Sequence, residues 1–424
     1  MQYTDVIKAM ESEPAMPEKI PSLGPTQKAL EDLQFYESSL GKNILSHPDK
    51  VIVVTGTNGK GSTCAALEAL FLAAGESVGL YTSPHLIDYT ERIRWNGQDI
   101  SHEDFVQAYE TVKEKTKQLS HFETLTMMAV VHFMKQKKVD RLIFEVGIGG
   151  LWDASNAIPH GVAVLTTIGL DHKQFLGNTL CEVAENKLGI VPSNGKIFHF
   201  PFPPDINPIV KDVQTRKQGT WLACEPFPHI LNTKHLEPQW VLLTPWGSAP
   251  LNMPGLRAVQ NISLALRVVE NLTSHMENHF QALLSSLESI RWPGRMEKFM
   301  IDGKSIYLSG DHNPEGVQSL LEILKNYKYK RVLALVGIGQ DKDISGILDP
   351  LLQLDKLSLY LTKTPFKGGP IELYGKYLNQ SKFAHENGLT VLQQALQDAD
   401  AEDMILVTGS LYLVGQIRQY LLSR

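Results

Sequence analysis

The sequence predicts an α/β protein of two units, each a mostly parallel sheet covered by helices, the first large and the second smaller. Three observations carry this. Short apolar runs ending in glycine or polar turns alternate with helical patterns over residues 51–190. A Pro-Gly break interrupts the chain at Arg291-Trp-Pro-Gly-Arg-Met-Glu297, and the alternation then restarts and runs to the end. With 424 residues, 43% hydrophobic and 20% charged, the chain has room for two full cores. We expect residues 1–290 to hold an N-terminal segment and a nucleotide-binding unit, and 291–424 the second unit.

In chain order, the apolar run at 51–55 reads as a buried parallel strand, followed by Gly56-Thr-Asn-Gly-Lys-Gly-Ser62 and a helix at 61–74. Gly56, Gly59 and Gly61 let main-chain N–H groups approach an anion at a helix N-terminus, so Lys60 would meet the β- and γ-phosphates of a nucleotide. Val54, and the glycine between Lys60 and Ser62, set the loop apart from the usual Walker spacing. Further strands are expected at 78–81, 141–146 and 162–168, with helices at 103–119 and 123–138. Thr82-Ser-Pro-His85 and Glu91-Arg-Ile-Arg94 then bracket a loop able to fold over a nucleotide, and hydroxyls in such loops ligate Mg²⁺.

Glu145 ends its strand where doubly wound sheets bind ligands, and reads either as a magnesium ligand or as a turn cap. The next strand leads to Thr166-Thr-Ile-Gly-Leu-Asp-His172, which brings an imidazole to the same sheet edge. In the helical pattern at 182–190, Lys187 shares a face with Val183. A partly buried lysine loses its proton more readily, and the free amine can take up carbon dioxide as a carbamate able to bind a second cation. Residues 193–250, with many prolines and β-like pieces such as Trp240-Val-Leu-Leu-Thr244, read as the irregular far edge of the first unit. A helix at 257–272 follows. The second unit is expected to hold strands at 305–309, 331–336, 357–362 and 404–408, with helices at 315–327, 390–399 and 411–423.

The net charge of −6 argues against a nucleic-acid surface. Cys64, Cys181 and Cys224 are an odd set without metal-ligand spacing, which suits a reducing cytoplasm. The first twenty residues lack a basic, then apolar, leader pattern, and no apolar run approaches the ~18 residues of a membrane span. Small-molecule partners, no membrane and a monomeric chain are expected.

Taken in order, Gly-Thr-Asn-Gly-Lys-Gly-Ser, Thr-Ser-Pro-His-Leu86, Glu-Val-Gly-Ile-Gly-Gly150, Ile-Gly-Leu-Asp-His172 and Glu-Asn-Lys-Leu-Gly-Ile190 resemble the folylpolyglutamate synthase/dihydrofolate synthase family of the Mur ligase superfamily. Gln260-Asn261, Trp292-Pro-Gly-Arg295, His312-Asn-Pro314, Asp341-Lys-Asp343 and Thr408-Gly-Ser-Leu-Tyr412 extend the likeness over nearly the whole chain from about residue 20. The resemblance implies a P-loop ATPase-like domain followed by a Rossmann-like glutamate ligase domain. It implies an ATP-dependent amide ligase that adds L-glutamate to tetrahydrofolate, and to dihydropteroate, through an acyl phosphate.

By this resemblance Gly59, Lys60, Gly61, Ser62, Asn261, Arg295 and Asp311 would bind ATP. Ser83, Glu145 and His172 would hold magnesium, and Lys187 would be carbamylated. Phe122, Glu123, Thr124, Leu125, Asp153, Ala154 and Ser155 would contact the pterin-bearing substrate. Lys60, Lys187 and His172 would form the catalytic set, with two Mg²⁺ sites and a monovalent cation; His312 and Ser410 are further candidates for glutamate or nucleotide contacts.

Three departures stand out. The family's Asp-Gly-Ala-His-Asn becomes Ser309-Gly-Asp-His-Asn313, its Gly-Gly-Arg-Leu-Asp becomes Gly149-Gly-Leu-Trp-Asp153, and its Asp-Leu-Gly-Leu-Glu-Arg becomes Ser22-Leu-Gly-Pro-Thr-Gln27. The losses at 22 and 151 leave open a folylpolyglutamate synthase without dihydropteroate activity, and the changes at 22, 151 and 309 a non-catalytic folate or nucleotide binder. A plain ATPase or kinase using the same loop is a third reading.

Overall fold

A computed structural model describes residues 1–13, 23–39, 44–116 and 119–424. Contacts group them into two units, Met1–Phe227 with Gln260–Leu287, and Pro228–Val259 with Glu288–Arg424. The α/β expectation holds in both. Ser22 lies outside the described residues.

The first unit is built on an eight-stranded sheet in the order β4-β3-β2-β5-β1-β6-β7-β8. Its strands are β1 (Val51–Thr55), β2 (Val78–Tyr81), β3 (Ile93–Trp95), β4 (Gln98–Asp99), β5 (Arg141–Glu145), β6 (Val162–Leu165), β7 (Lys196–His199) and β8 (Thr220–Ala223). Six run parallel, while β3 and β4 fold back antiparallel at one edge. Every residue of β1 is buried, as a strand covered on both faces must be. The chain leaves β1 toward β2 and later returns past it to β6, so the sheet has its switch point at β1, where such sheets bind ligands.

Residues 193–227 differ from the irregular edge that the prolines suggest. They form β7, the helix Asn207–Lys217 and β8, one more parallel crossover. Pro201, Pro203 and Pro204 lie in the connection and Pro208 in the first helical turn, where a missing N–H removes no ladder or helix bond. Residues 228–259 contain the antiparallel strands β9 (His229–Asn232), β10 (Gln239–Thr244) and β11 (Gly247–Leu251) and group with the second unit, not the first.

The second unit has a six-stranded sheet, in the order β12-β13-β17-β14-β15-β16. Its strands are β12 (Arg295–Ile301), β13 (Lys304–Ser309), β14 (Val332–Val336), β15 (Leu357–Thr362), β16 (Phe383–His385) and β17 (Met404–Thr408). An Asp302-Gly303 turn with positive φ at both residues closes the antiparallel β12–β13 hairpin; the other pairings are parallel. A helix, Ile344–Leu352, joins β14 to β15 where the sequence reading had none; two parallel neighbours require such a crossover. Its Ile347, Leu348 and Leu351 pack with Val317, Leu320 and Val336 in this unit's core.

Candidate active site

Parallel register sets the site. Val54 of β1 pairs with Glu145 of β5 and Val164 of β6, and Tyr81 of β2 pairs with Phe144, so the four strands end together at one edge. From β1 the chain enters the glycine loop. Gly59 adopts φ +89°, and a Cβ there would lie 2.5 Å from Asn261 Oδ1, so the loop has turned tightly against a buried amide. The helix Lys60–Ala73 begins at the next residue, its N–H groups directed at the loop. Lys60 Nζ folds back to donate to Gly56 O at 2.9 Å.

The loop after β6 fixes this turn. Thr57 N–H donates to Thr167 O at 2.7 Å, Thr166 Oγ1 donates to Asn58 O at 2.7 Å, and Thr57 Oγ1 donates to Gly169 O at 2.8 Å. A Cβ on Gly56 would lie 1.8 Å from Thr166 Oγ1, so only glycine fits. None of these hydroxyls stood out in the sequence, because Thr is common at strand ends and its partners are main-chain atoms more than a hundred residues away.

Lys187, 3% exposed, donates from Nζ to the same Gly56 O at 2.8 Å. Two amines thus converge on one carbonyl of the phosphate loop. Glu145 is 3% exposed and accepts from the Ser83 N–H at 2.9 Å, joining two expected magnesium ligands. Cys64, in the first turns of the helix after the loop, senses both partners: burial and the Glu145 carboxylate push its thiol up, while Lys60 pulls it down. His172 follows in the β6 loop with φ +49°, its N–H bonded to Asp171 Oδ1 at 2.8 Å and its Nε2 3.9 Å from Asp171 Oδ2. Among the described residues no three His, Cys, Asp or Glu side chains gather as a metal cluster. A cation at this edge would therefore also need hydroxyl, phosphate or carbamate oxygens.

Between β2 and β3 the loop is held from within. Glu91 accepts the N–H groups of Leu86, Ile87 and Asp88, and Arg92 Nε donates to His85 Nδ1 at 2.8 Å. Burial, then the Arg92 charge, push His85 down to about 3, so it is neutral and can accept that bond.

The substrate-contact candidates divide. Phe122 is half-buried and lies over Gly147, where a Cβ would come within 2.6 Å of its ring. Glu123 is instead engaged as the helix cap, accepting Ser120 N–H at 2.8 Å and the Thr26 hydroxyl at 2.6 Å. Thr124 and Leu125 are fully buried in the helix His121–Met134. Asp153 accepts from the Gly147, Ile148 and Ser155 N–H groups and the Ser155 hydroxyl; burial nevertheless holds its carboxyl above its ordinary value. Ala154 and Ser155 are buried. In this conformation Phe122 is the most accessible of the seven.

In the second unit, Arg295 opens β12 opposite Ser309, and Asp311 and His312 follow β13. His312 Nδ1 lies 2.8 Å from Gly310 O, and Ser410 caps the helix Leu411–Leu422 through Tyr412 N–H. Arg257, which no motif singled out, lies 3.6 Å from Asp311 Oδ1.

Known proteins match both units. The Mur ligase middle domain is matched over residues 54–197 and the Mur ligase glutamate ligase domain over residues 294–411. The dihydrofolate synthase/folylpolyglutamate synthase of Bacillus subtilis is 30% identical over 398 residues, which cover 89% of this chain and 92% of that protein. The solved structure of Escherichia coli FolC in complex with ADP, without folate substrate, matches with a TM-score of 0.82 at 27% identity, over 100% of this chain and 98% of that one. The bifunctional folylpolyglutamate synthase/dihydrofolate synthase of Yersinia pestis, complexed with AMPPNP and Mn ion, matches with a TM-score of 0.81 at 27% identity, over 99% and 98%.

Proposed function

Because this chain belongs to the dihydrofolate synthase/folylpolyglutamate synthase family of Mur ligases, we propose that it is an ATP-dependent ligase that joins L-glutamate to the terminal carboxylate of a folate, forming ADP and phosphate. Tetrahydrofolate is the expected acceptor. Dihydropteroate is a weaker one, since Leu151 replaces the family's arginine and packs against Gly189, where a Cβ would lie 2.5 Å from Leu151 Cβ. The observation that favours a ligase over a plain ATPase is the placement of Lys187 Nζ on the phosphate-loop carbonyl Gly56 O; phosphate binding alone needs no second buried amine there.

In this reading the loop 56–62 and Lys60 bind and orient the β- and γ-phosphates, with Asn261 behind Gly59. Glu145, Ser83 and His172 would hold Mg²⁺, and a carbamate on Lys187 would hold a second ion. These cations would neutralise charge on the phosphates. An oxygen of the folate carboxylate attacks the γ-phosphorus, the bond to the bridging oxygen breaks, and ADP leaves. The glutamate amine then attacks the acyl carbon and loses a proton as inorganic phosphate departs with the bonding pair. A monovalent cation, a monomeric chain and a cytoplasmic setting complete the proposal. Among the described residues no helix is long and apolar enough to cross a membrane.

The test is ADP formation with tetrahydrofolate, dihydropteroate and related acids, each with and without L-glutamate. ADP that requires both acid and glutamate supports the ligase. ADP without glutamate would indicate a kinase or ATPase, and tight binding without turnover a descendant that only binds.

A further inference from the structure

The loop between β2 and β3 ends on Arg92. Its carbonyl accepts from Thr82 N–H at 2.9 Å, and the next residue, Ile93, pairs with Tyr81, so the Arg92 backbone is fixed beside the end of β2. The side chain runs inward and the residue is only 9% exposed. Nε donates to His85 Nδ1 at 2.8 Å, and the guanidinium carbon lies 5.5 Å from the centre of the Tyr89 ring. Its charge also reaches the Tyr81 phenol and the His121 imidazole.

All of these neighbours are uncharged. His85 is neutral, burial holds His121 below its ordinary value, and burial pushes the Tyr81 phenol up to about 12. The acids nearest in sequence are engaged elsewhere, Glu91 on the N–H groups of Leu86, Ile87 and Asp88, and Asp88 on the Tyr3 and Thr90 hydroxyls. Among the described residues no carboxylate pairs with Arg92. The ring nitrogen and the phenol satisfy donors but leave the charge unmatched, and a buried guanidinium is costly until a planar anion meets its fork.

The ligase reading leaves few anions to match it. The triphosphate goes to the loop 56–62 and Lys60. The acceptor carboxylate that attacks phosphorus needs a free lone pair, which a guanidinium ion pair would hold back, and the pterin ring is uncharged. What remains on a folate acceptor is the α-carboxylate of its terminal glutamate. Tyr81, beside Arg92, has its ring centroid 6.0 Å from that of Phe122, the most accessible of the acid-substrate candidates. We infer that Arg92 is a specificity-determining residue that grips this α-carboxylate, a group dihydropteroate lacks, and so favours tetrahydrofolate. This rests on the ligase reading above. The competing role for Arg92 is purely structural, tying the loop together through His85 and Tyr89.

Steady-state kinetics of ADP formation by the full chain, with a thermal melt of each variant, separate the two. Arg92→Met should melt no lower than the parent, since it removes an unmatched buried charge, and should raise the KM for tetrahydrofolate roughly thirtyfold. The KM for dihydropteroate, or its inhibition constant where it binds without turnover, should stay within about threefold, as should the KM values for ATP and L-glutamate. Arg92→Lys, which keeps the charge without the fork, should restore part of the tetrahydrofolate affinity. Equal losses for the two acids overturn the proposal, and so does a loss that falls on L-glutamate. If Arg92→Met fails to fold, Arg92→Lys decides alone, an unchanged ratio of the two acids overturning the proposal. A parent chain that forms no ADP would sink the ligase reading instead, and equilibrium binding of the two acids to parent and variant would still decide whether Arg92 holds the α-carboxylate.

Discussion

Replacing Gly59 by alanine should damage the phosphate loop by two separable routes. The residue sits at φ +89°, a conformation that costs an L-residue about 1–2 kcal/mol. Its new Cβ would also meet Asn261 Oδ1 at 2.5 Å, Nδ2 at 2.8 Å and Cγ at 2.9 Å, all closer than carbon tolerates. Overpacking of this kind costs about 1–3 kcal/mol, so Gly59→Ala should lose about 2–5 kcal/mol in total, or open the loop locally to escape it. Asn261→Ala removes the clash and leaves the dihedral strain. The double variant should therefore lose less than the sum of the single losses, by about 1–3 kcal/mol, in a double-mutant cycle read by urea midpoints. The KM for ATP should show the same coupling. A Gly59→Ala chain within about 0.5 kcal/mol of the parent, or strictly additive losses, would mean that Asn261 is not seated against the loop.

Two further outcomes follow from buried groups. Lys187→Ala should cut kcat by roughly a hundredfold or more while the ATP affinity stays within about tenfold, and added acetate should restore part of the rate by standing in for the carbamate; full ligase activity in the variant without acetate would end the carbamate proposal. His199 stacks on Phe202 at 4.4 Å between centroids, and burial pushes its imidazole below the ordinary 6.5. Between the lowered folded value and 6.5 the unfolded chain binds a proton that the folded chain refuses, so this stabilisation is complete above pH 6.5 and fades as the pH falls through the folded value. His199→Leu should flatten the fall in urea midpoint on acidification, and an unchanged or steeper slope would refute the assignment.

The phosphate loop was legible because its signal is local: a buried strand, three glycines and a helix within a dozen residues. That Glu145 and Ser83 lie at this edge was legible because one ends β5 and the other follows β2 by two residues, and parallel strands deliver their ends to one edge. What escaped depends on partners distant in sequence. Thr166 and Thr167 hold the loop through its main chain, which no side-chain motif records. Glu123, Thr124 and Leu125 looked available because a motif ignores the third dimension. Their helix, His121–Met134, is buried on nearly all sides, from Glu123 through Met134; without a polar stripe, its sequence does not say which face meets a ligand. Prolines at 201, 203, 204 and 208 resembled a ragged edge because composition cannot tell a loop from the first turn of a helix.

Lys187, unlike Glu145, comes from a helix rather than a strand end, so sheet register cannot place it. Its reach is set by how closely the helix Leu180–Leu188 approaches the turn after β5. Leu151 N–H donates to Asn186 O at 2.8 Å. A Cβ on Gly149 would lie 2.1 Å from Asn186 Oδ1, and one on Gly150 would lie 2.8 Å from Lys187 O. A side chain at 149 would displace the Asn186 amide, while one at 150 meets helix main chain and would have to push the helix outward, and a lysine already spanning to Gly56 O at 2.8 Å would then lose that contact. Asn186 and the Gly-Gly pair therefore fix the distance between the buried amine and Gly56 O.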